Sequence, residues 1–220
     1  MGKINSKNIL PELFKAINLK KIILLDLDNT IYDYDSCHNH AIKTCYGFYS
    51  KNIEKISFRN FLGQYNKSKN LVKVPLKNQA ASHSRLLYFQ KMLEIIFKKS
   101  MIKESLMLED LYWKSFLSKI KLYKWVMPFL KYCKKNKKKI VIVTDLCSQI
   151  QFRKLIKFGI SNHIDFIVSS EEAGVEKPDP FIFSYALKKV SGRRKESVII
   201  GDSSDKDRAK NIKTIILMKL

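Results

Sequence analysis

The sequence predicts an α/β protein with a Rossmann-like, doubly wound parallel sheet as its core and an inserted α-helical cap domain. Short, almost continuously apolar runs are typical of strands in a parallel sheet that helices cover on both faces, and the runs in this chain end in polar residues. Helical patterns lie between these runs, and such alternation indicates a doubly wound core. One long stretch without strand signals interrupts the alternation and predicts the inserted domain.

Four apolar runs are predicted to be core strands. In chain order they are KIILL (residues 21–25), KIVIVTD (139–145), IDFIVSS (164–170) and SVIIGDSS (197–204). Two helical patterns separate the later runs. The first ends at Gly159, a residue type that is common just beyond a helix, and the second begins at Pro180. The final TIILMK is predicted to add one more strand.

The inserted segment is predicted to be an all-helical cap domain at residues 33–121, which leaves residues 1–32 and 122–220 for the α/β core. Large apolar residues recur there at spacings of three and four, the period of an amphipathic helix. Examples are Leu86, Phe89, Leu93 and Ile96, followed by Trp113, Phe116, Leu117 and Ile120. This segment directly follows the first predicted strand.

The chain is strongly basic, with a net charge of +22 from 42 Lys and Arg against 20 Asp and Glu. Such a charge attracts anions, and we expect it to steer small anionic molecules. The lysines are spread along the whole chain, so nucleic acid is not the expected partner. No apolar run approaches the roughly 18 residues of a membrane span, so no membrane partner is expected either.

The four cysteines, Cys37, Cys45, Cys133 and Cys147, do not form any CxxC pair. Their spacing argues against a zinc site and against a disulfide framework. Reduced thiols are typical of proteins in a reducing compartment. We therefore expect a cytoplasmic location.

Polar residues follow each predicted strand, where ligands bind in open α/β sheets. Asp26 and Asp28 follow the first strand, Thr144 ends the second, Lys177 lies in the loop after the third, and Asp202 follows the fourth. If the strands are neighbours, these side chains converge on one place. Carboxylates gathered there repel one another, and a divalent cation relieves that repulsion. Oxygen ligands favour Mg²⁺, so a magnesium site is predicted.

These residues also resemble the four motifs of the haloacid dehalogenase-like (HAD) superfamily. DLDNT, from Asp26 to Thr30, matches its DxDx(T/V) signature, and Thr144 matches the second motif. Lys177 in EKPDP resembles the third motif, and GDSSDKD (201–207) resembles the fourth. The resemblance covers residues 20–220, and the helices between the first two motifs resemble the C1 cap of subfamily I.

This resemblance implies phosphoryl transfer through an aspartyl-phosphate. Asp26 is expected to be the nucleophile, a role that carboxylates fill in covalent catalysis. Asp28 is expected to protonate the leaving oxygen and then to act as base on the hydrolytic water. Thr144 and Lys177 are expected to hold the phosphoryl oxygens, with Lys177 also countering the charge that develops during transfer.

The resemblance also implies how Mg²⁺ is held. Its expected ligands are Asp26, the backbone carbonyl of Asp28 and Asp202, with Asp207 in support. The GDxxxxD spacing selects Asp207, but a shifted alignment would select Asp205 instead. The segment from Asp207 to the last predicted strand lacks glycine and is shorter than the family's usual helix. Because this shortened element lies beside the expected metal site, weakened magnesium binding is an alternative that stays open.

We therefore expect a phosphoric monoester hydrolase: a Mg²⁺-dependent phosphatase of a small phosphorylated metabolite, such as a sugar phosphate or a nucleotide. Asp28 supports this expectation, because the dehalogenases of the superfamily do not carry an acid at that position. Three alternatives stay open: a phosphomutase, a catalytically weakened HAD-like binding protein, and a phosphatase that processes nucleic-acid ends. Neither the exact substrate nor the oligomeric state follows from the sequence.

One cap residue is a candidate for substrate binding. Arg85 stands at the beginning of a predicted cap helix, where it is expected to meet an anionic part of the substrate. The alternative is that this residue belongs to an ordinary solvated helix start.

Overall fold

The computed structural model describes residues 2–4 and 9–218, and within them one parallel sheet forms the centre of the α/β part. Its strands are β1 (Gly2–Ile4), β2 (Ile22–Leu25), β3 (Lys139–Thr144), β4 (Phe166–Ser169), β5 (Ser197–Gly201) and β6 (Lys213–Leu217). They lie in the order β1-β6-β5-β2-β3-β4, and every neighbouring pair is parallel. The predicted α/β fold class is confirmed.

The helices alternate with the strands and also fill the segment between β2 and β3. They are α1 (Ile9–Ile17), α2 (Tyr34–Asn52), α3 (Phe58–Lys73), α4 (Arg85–Phe97), α5 (Ile102–Lys119), α6 (Val126–Lys135), α7 (Ser148–Phe158), α8 (Ser170–Ala173) and α9 (Pro180–Lys189). Among the described residues, no helix is both long and apolar enough to cross a membrane.

Strand β2 lies in the middle of the sheet, between β3 and β5. Leu24 is in register with Val141 on one side and with Ile199 on the other, and all three side chains are buried. On one face of the sheet these residues pack with Phe183 and other residues of α9. Burial on both faces is the physical reason why the strand sequence is apolar without interruption.

Local signals mark the end of one core helix and the beginning of another where the sequence predicts. Gly159 follows α7 with a φ of 68°, a left-handed conformation that costs glycine little. Asp179 precedes α9, and its side chain accepts a hydrogen bond from the backbone N–H of Phe181. Pro180 then occupies the first helical position, where its missing N–H is not needed.

The chain divides into two compact units, one of residues Met1–Asp33 and Lys121–Leu220 and the other of Tyr34–Ile120. The second, which we call the helical unit, contains α2 to α5. Its interior is rich in aromatic side chains, and the buried ones include Phe61, Tyr65, Tyr88, Phe89, Tyr112 and Phe116. Helices inserted between β2 and β3 are the arrangement that the resemblance to a C1 cap implies.

One feature of the α/β unit was not foreseen from the sequence, and for a second, the segment after Asp207, only its short length was foreseen. Strand β1 adds to the sheet edge by pairing with β6, and α1 buries Leu13 and Ile17. The second feature is the connection from β5 to β6. Residues 202–212 form turns without any helix, although β5 and β6 are parallel neighbours.

Candidate active site

Three carboxylates and one lysine meet beyond the carboxyl ends of the central strands. Because β2 and β5 are parallel neighbours, Asp26 and Asp202 leave the sheet side by side. Lys177 donates from Nζ to Oδ1 of Asp26 at 2.5 Å and to Oδ1 of Asp207 at 2.6 Å. Carboxylate oxygens of Asp26, Asp202 and Asp207 all lie within 4.8 Å of one another.

The electrostatics of this cluster favour a further cation. Burial raises the pKa of Asp26 to about 7; Lys177 opposes the rise, and Asp207 adds to it. The pKa of Asp202 is also raised, by burial and by Asp207. The pKa of Lys177 rises despite burial, because Asp26 and Asp207 favour its ammonium form. One ammonium therefore faces three carboxylates, and their oxygens suit a hard divalent ion such as Mg²⁺.

A glycine makes room for one of these carboxylates. A Cβ atom at Gly201 would lie 2.1 Å from Oδ2 of Asp207, so only glycine fits at this position. The backbone N–H of Ser203 donates to the same Oδ2 atom at 3.1 Å, and the N–H of Asp207 donates to the carbonyl of Ser203 at 2.8 Å. This turn buries Asp207, whereas Asp205 is exposed. The structure thus places Asp207, and not Asp205, beside Asp26 and Asp202.

Asp28 has different partners. Both of its carboxylate oxygens accept from Nζ of Lys154, at 2.7 and 3.0 Å, and Tyr32 donates its hydroxyl to Oδ1. Gln151 adds a long contact of 3.5 Å to Oδ2. Burial alone would raise the pKa of Asp28, but the Lys154 ammonium and these hydrogen bonds together lower it. These partners therefore favour the carboxylate form of Asp28.

Thr144 and Asp145 lie at the end of β3. The Nε2 atom of Gln151 donates to Oγ1 of Thr144 at 2.6 Å, which links Thr144 to the surroundings of Asp28. Oδ1 of Asp145 accepts from the backbone N–H of Lys177 at 2.9 Å, and Oδ2 pairs with Lys206 at 2.7 Å. Asp145 thus ties the loop that carries Lys177 to the loop after β5.

Comparison with known families decides what kind of protein this is. The model of the haloacid dehalogenase-like hydrolases matches residues 23–217, which includes all the residues described at this site. The chain belongs to this family. It is therefore an enzyme of the HAD-like hydrolases, as the four motifs implied.

Individual HAD-like proteins agree with this assignment. The chain is 30% identical over 185 residues to ribulose-1,5-bisphosphate 5-phosphatase of Halopiger xanaduensis, which covers 84% of this chain and 77% of that protein. The solved 2-haloacid dehalogenase of Pseudomonas syringae pv. Tomato aligns with a TM-score of 0.67 at 19% identity, covering 90% and 86% of the two chains. YfnB of Bacillus subtilis, solved bound to magnesium, aligns with a TM-score of 0.63 at 19% identity over 86% and 82%. At these identities, the two structures show the shared HAD fold.

Two side chains of this HAD site were not predicted from the sequence. Lys154 is fully buried, and Gln151 is buried one helical turn before it on α7. Their spacing of three places both on one face of the helix, which also carries the apolar Ile150 and Leu155. A lysine and a glutamine beside buried apolar residues of a helix are a usable signal, because buried polar groups need partners.

Arg85 lies in the helical unit. It is the first residue of α4 and only 5% exposed, so the alternative of a solvated helix start is wrong. The expected contact of Arg85 with the substrate stays a prediction.

Proposed function

We propose that this HAD-like hydrolase is a Mg²⁺-dependent phosphatase that hydrolyses a small phosphorylated metabolite, such as a sugar phosphate or a nucleotide, through an aspartyl-phosphate intermediate. The observation that carries the proposal is the ion-paired group of Asp26, Lys177 and Asp207 with Asp202 beside it. The similarity of the chain to ribulose-1,5-bisphosphate 5-phosphatase supports the same reaction.

The nucleophile of the proposed first step is a carboxylate oxygen of Asp26. Lys177 holds Oδ1, and Thr30 donates its hydroxyl to Oδ2 at 2.6 Å, so the carboxylate is fixed in orientation. Attack on phosphorus forms the Asp26–phosphoryl bond and breaks the bond to the leaving oxygen, which takes a proton from Asp28. Lys177 and the hydroxyl of Thr144 hold phosphoryl oxygens, which stabilises the charge of the transition state.

The second step returns the enzyme to its starting state. Asp28 takes a proton from a water molecule, whose oxygen attacks phosphorus and releases inorganic phosphate from Asp26. The ion pair with Lys154 favours the carboxylate of Asp28 and therefore its role as a base. The proton gained in this step is available to the leaving group of the next cycle.

The residues fit the proposed cofactor. Asp26, Asp202 and Asp207 offer oxygen atoms within reach of one ion, and the backbone carbonyl of Asp28 is proposed as a further ligand. Bound Mg²⁺ would neutralise negative charge on the phosphoryl group. The relative YfnB, which is solved with magnesium, supports this choice of ion.

Phosphate release from p-nitrophenyl phosphate tests the proposal. We expect release in the presence of Mg²⁺ and none after its removal by a chelator. Asp26→Asn should abolish release, because an amide cannot form the acyl phosphate. Asp110→Asn, at an exposed position of α5, is the matched control and should keep the wild-type rate. Full activity of the Asp26→Asn variant would disprove the assignment of the nucleophile.

A further inference from the structure

Arg85 is surrounded by aromatic side chains inside the helical unit. Its Cζ atom lies 5.3–5.5 Å from the centroids of three rings, those of Tyr88, Tyr112 and Trp113. Nη1 donates to the carbonyl of His83 at 2.5 Å, and Nη2 donates to the hydroxyl of Tyr34. These partners are all neutral groups, and none of them balances the guanidinium charge.

The same rings connect Arg85 to Tyr65 on α3. The Tyr65 ring packs 5.9 Å from Tyr88 and 6.2 Å from His38, and His38 packs 5.7 Å from Tyr112. Since Arg85 lies over both Tyr88 and Tyr112, these contacts form a closed circuit of neighbouring side chains. We call these five residues, Arg85, Tyr88, Tyr65, His38 and Tyr112, the Arg85 cluster.

The Arg85 cluster carries positive charge. Among the residues that the structure describes, no Asp or Glu forms an ion pair with Arg85. Burial raises the pKa of Tyr65 and of Tyr112, so both phenols are neutral at physiological pH. Burial and Arg85 lower the pKa of His38 to about 4, so the imidazole is neutral too.

A second cation lies close to the cluster. Lys69 follows Tyr65 by four residues on α3, which places both on one face of the helix. Burial and the charge of Arg85 lower the pKa of Lys69. The cluster therefore holds one fixed positive charge and has another beside it.

Two polar atoms of the Arg85 cluster lack hydrogen-bond partners. Within the described part of the chain, neither Nε of Arg85 nor the hydroxyl of Tyr65 has one, although both atoms are buried. Native proteins rarely leave such groups unsatisfied. An oxyanion accepts hydrogen bonds from donors of both kinds and also balances a guanidinium charge, whereas a neutral ligand does only the first.

We propose that the Arg85 cluster is a binding site for an oxyanion, a carboxylate or phosphate group, within the helical unit. Two sources offer this chemistry: a second anionic group of the phosphorylated substrate, or a free anion. The first source rests on the proposed phosphatase function, and the second does not. Tyr65 and Arg85 supply the hydrogen bonds, and Lys69 adds charge.

Anion-dependent thermal stability tests the site without reference to catalysis. The melting temperature of the protein is measured in sodium sulfate and in sodium chloride at equal ionic strength, without Mg²⁺ or substrate. We expect sulfate to raise the wild-type Tm by about 2–4 °C over chloride, because an anion that binds the folded state stabilises it. Arg85→Gln and Tyr65→Phe should reduce this rise, while Arg59→Gln, at an exposed position of α3, should keep it.

Sulfate binding at the catalytic site is common to all variants and cancels in the comparison. Tyr65→Phe changes no charge and keeps the ring, so it decides the question even if Arg85→Gln does not fold. An equal sulfate effect in the wild type and in Tyr65→Phe would overturn the proposal, whatever the enzyme's activity.

A pair of substrates separates the two sources. 3-Phosphoglycerate and glycerol 3-phosphate differ at the far end, where the first has a carboxylate and the second a hydroxymethyl group. If the anion belongs to the substrate, kcat/KM should favour 3-phosphoglycerate by about tenfold or more, the size expected of a charge-assisted hydrogen bond. Arg85→Gln should remove that preference through KM. No preference, together with a sulfate effect that Tyr65→Phe reduces, would identify a free anion.

Discussion

Lys154 and Asp28 form an ion pair in which the ammonium of a fully buried lysine contacts both oxygens of a partly buried carboxylate, at 2.7 and 3.0 Å. The two residues are 126 positions apart in the sequence. In the proposed mechanism, Asp28 both gives and takes a proton. Lys154 thus acts on the residue whose protonation state has to change in each cycle.

Replacement of Lys154 by methionine should shift the pH dependence of the enzyme. The ammonium favours the charged form of Asp28, so its loss raises the pKa of Asp28. A smaller fraction of Asp28 is then ionised at a given acidic pH, so the part of the rising limb of kcat that depends on Asp28 moves to higher pH. The variant also leaves the partly buried carboxylate of Asp28 without its ion-pair partner, which should lower the free energy of unfolding by about 1–3 kcal/mol.

The measurement is kcat for p-nitrophenyl phosphate from pH 4 to pH 8, with thermal unfolding recorded alongside. Lys157→Met is the matched control, because Lys157 lies on the same helix and is exposed. A rising limb that stays in place in the Lys154 variant would contradict the role assigned to this residue.

Asp207 and Asp205 should differ in their effect on magnesium. Asp207 is buried in the carboxylate cluster, and Asp205 is exposed two residues earlier. We expect Asp207→Asn to raise the Mg²⁺ concentration for half-maximal activity by about 10-fold or more, as loss of a supporting carboxylate does at other metal sites. Asp205→Asn should leave this concentration unchanged. Calorimetric titration with Mg²⁺ gives a second readout, and similar losses in the two variants would contradict the site geometry.

Gly201 should not tolerate a side chain. A methyl group there would overlap the carboxylate of Asp207, with 2.1 Å between Cβ and Oδ2. We expect Gly201→Ala to lower the free energy of unfolding by about 1–3 kcal/mol, as overpacking does, and to weaken Mg²⁺ binding. Gly63→Ala is the control: nothing lies within 4 Å of its added Cβ, and alanine favours a helix by about 0.5–1 kcal/mol. Denaturant unfolding measures both, and equal stability of the two variants would refute the prediction.

His38 should make the protein less stable in acid. Burial and the charges of Arg85 and Lys69 lower its pKa to about 4, against a smaller opposing effect of Asp35. The pKa of His38 is therefore lower in the folded chain than in the unfolded chain, and neutral His38 favours the folded state. This contribution to the free energy of unfolding is complete above pH 6.5 and is lost as the pH falls from 6.5 to 4. Its size is at most about 3 kcal/mol.

The check for His38 is the free energy of unfolding between pH 7 and pH 4. His38→Gln should show a weaker fall than the wild type over this range. His40→Gln, on the same helix, serves as control and should follow the wild type. If His38→Gln and the wild type lose stability in parallel, His38 is not the group responsible.

The carboxylate cluster was foreseeable because its parts follow from local patterns. An apolar run ends where its polar residue begins, and parallel strands deliver their carboxyl ends to one sheet edge. Asp26 and Asp202 could therefore be placed together without coordinates. The choice between Asp207 and Asp205 could not be made in the same way, because two acids in one turn differ only in how the turn packs against Gly201.

Short elements and helix orientation were harder to foresee. Strand β1 has three residues, too few for a periodic pattern to appear. Lys154 belongs to a helix whose position was predicted, but which face of α7 turns toward Asp28 depends on how that helix docks on the sheet. The same holds for Arg85, whose aromatic neighbours come from several helices.

Periodicity and strand-end chemistry are properties of neighbouring residues, so the α/β class, the inserted helices and the four motifs could be read from the order of amino acids. The partners of Asp28, the buried position of Asp207 and the unbalanced charge of Arg85 required the folded chain. Each depends on atoms that lie far apart along the polypeptide, and the energy of a charge is set by what surrounds it in space.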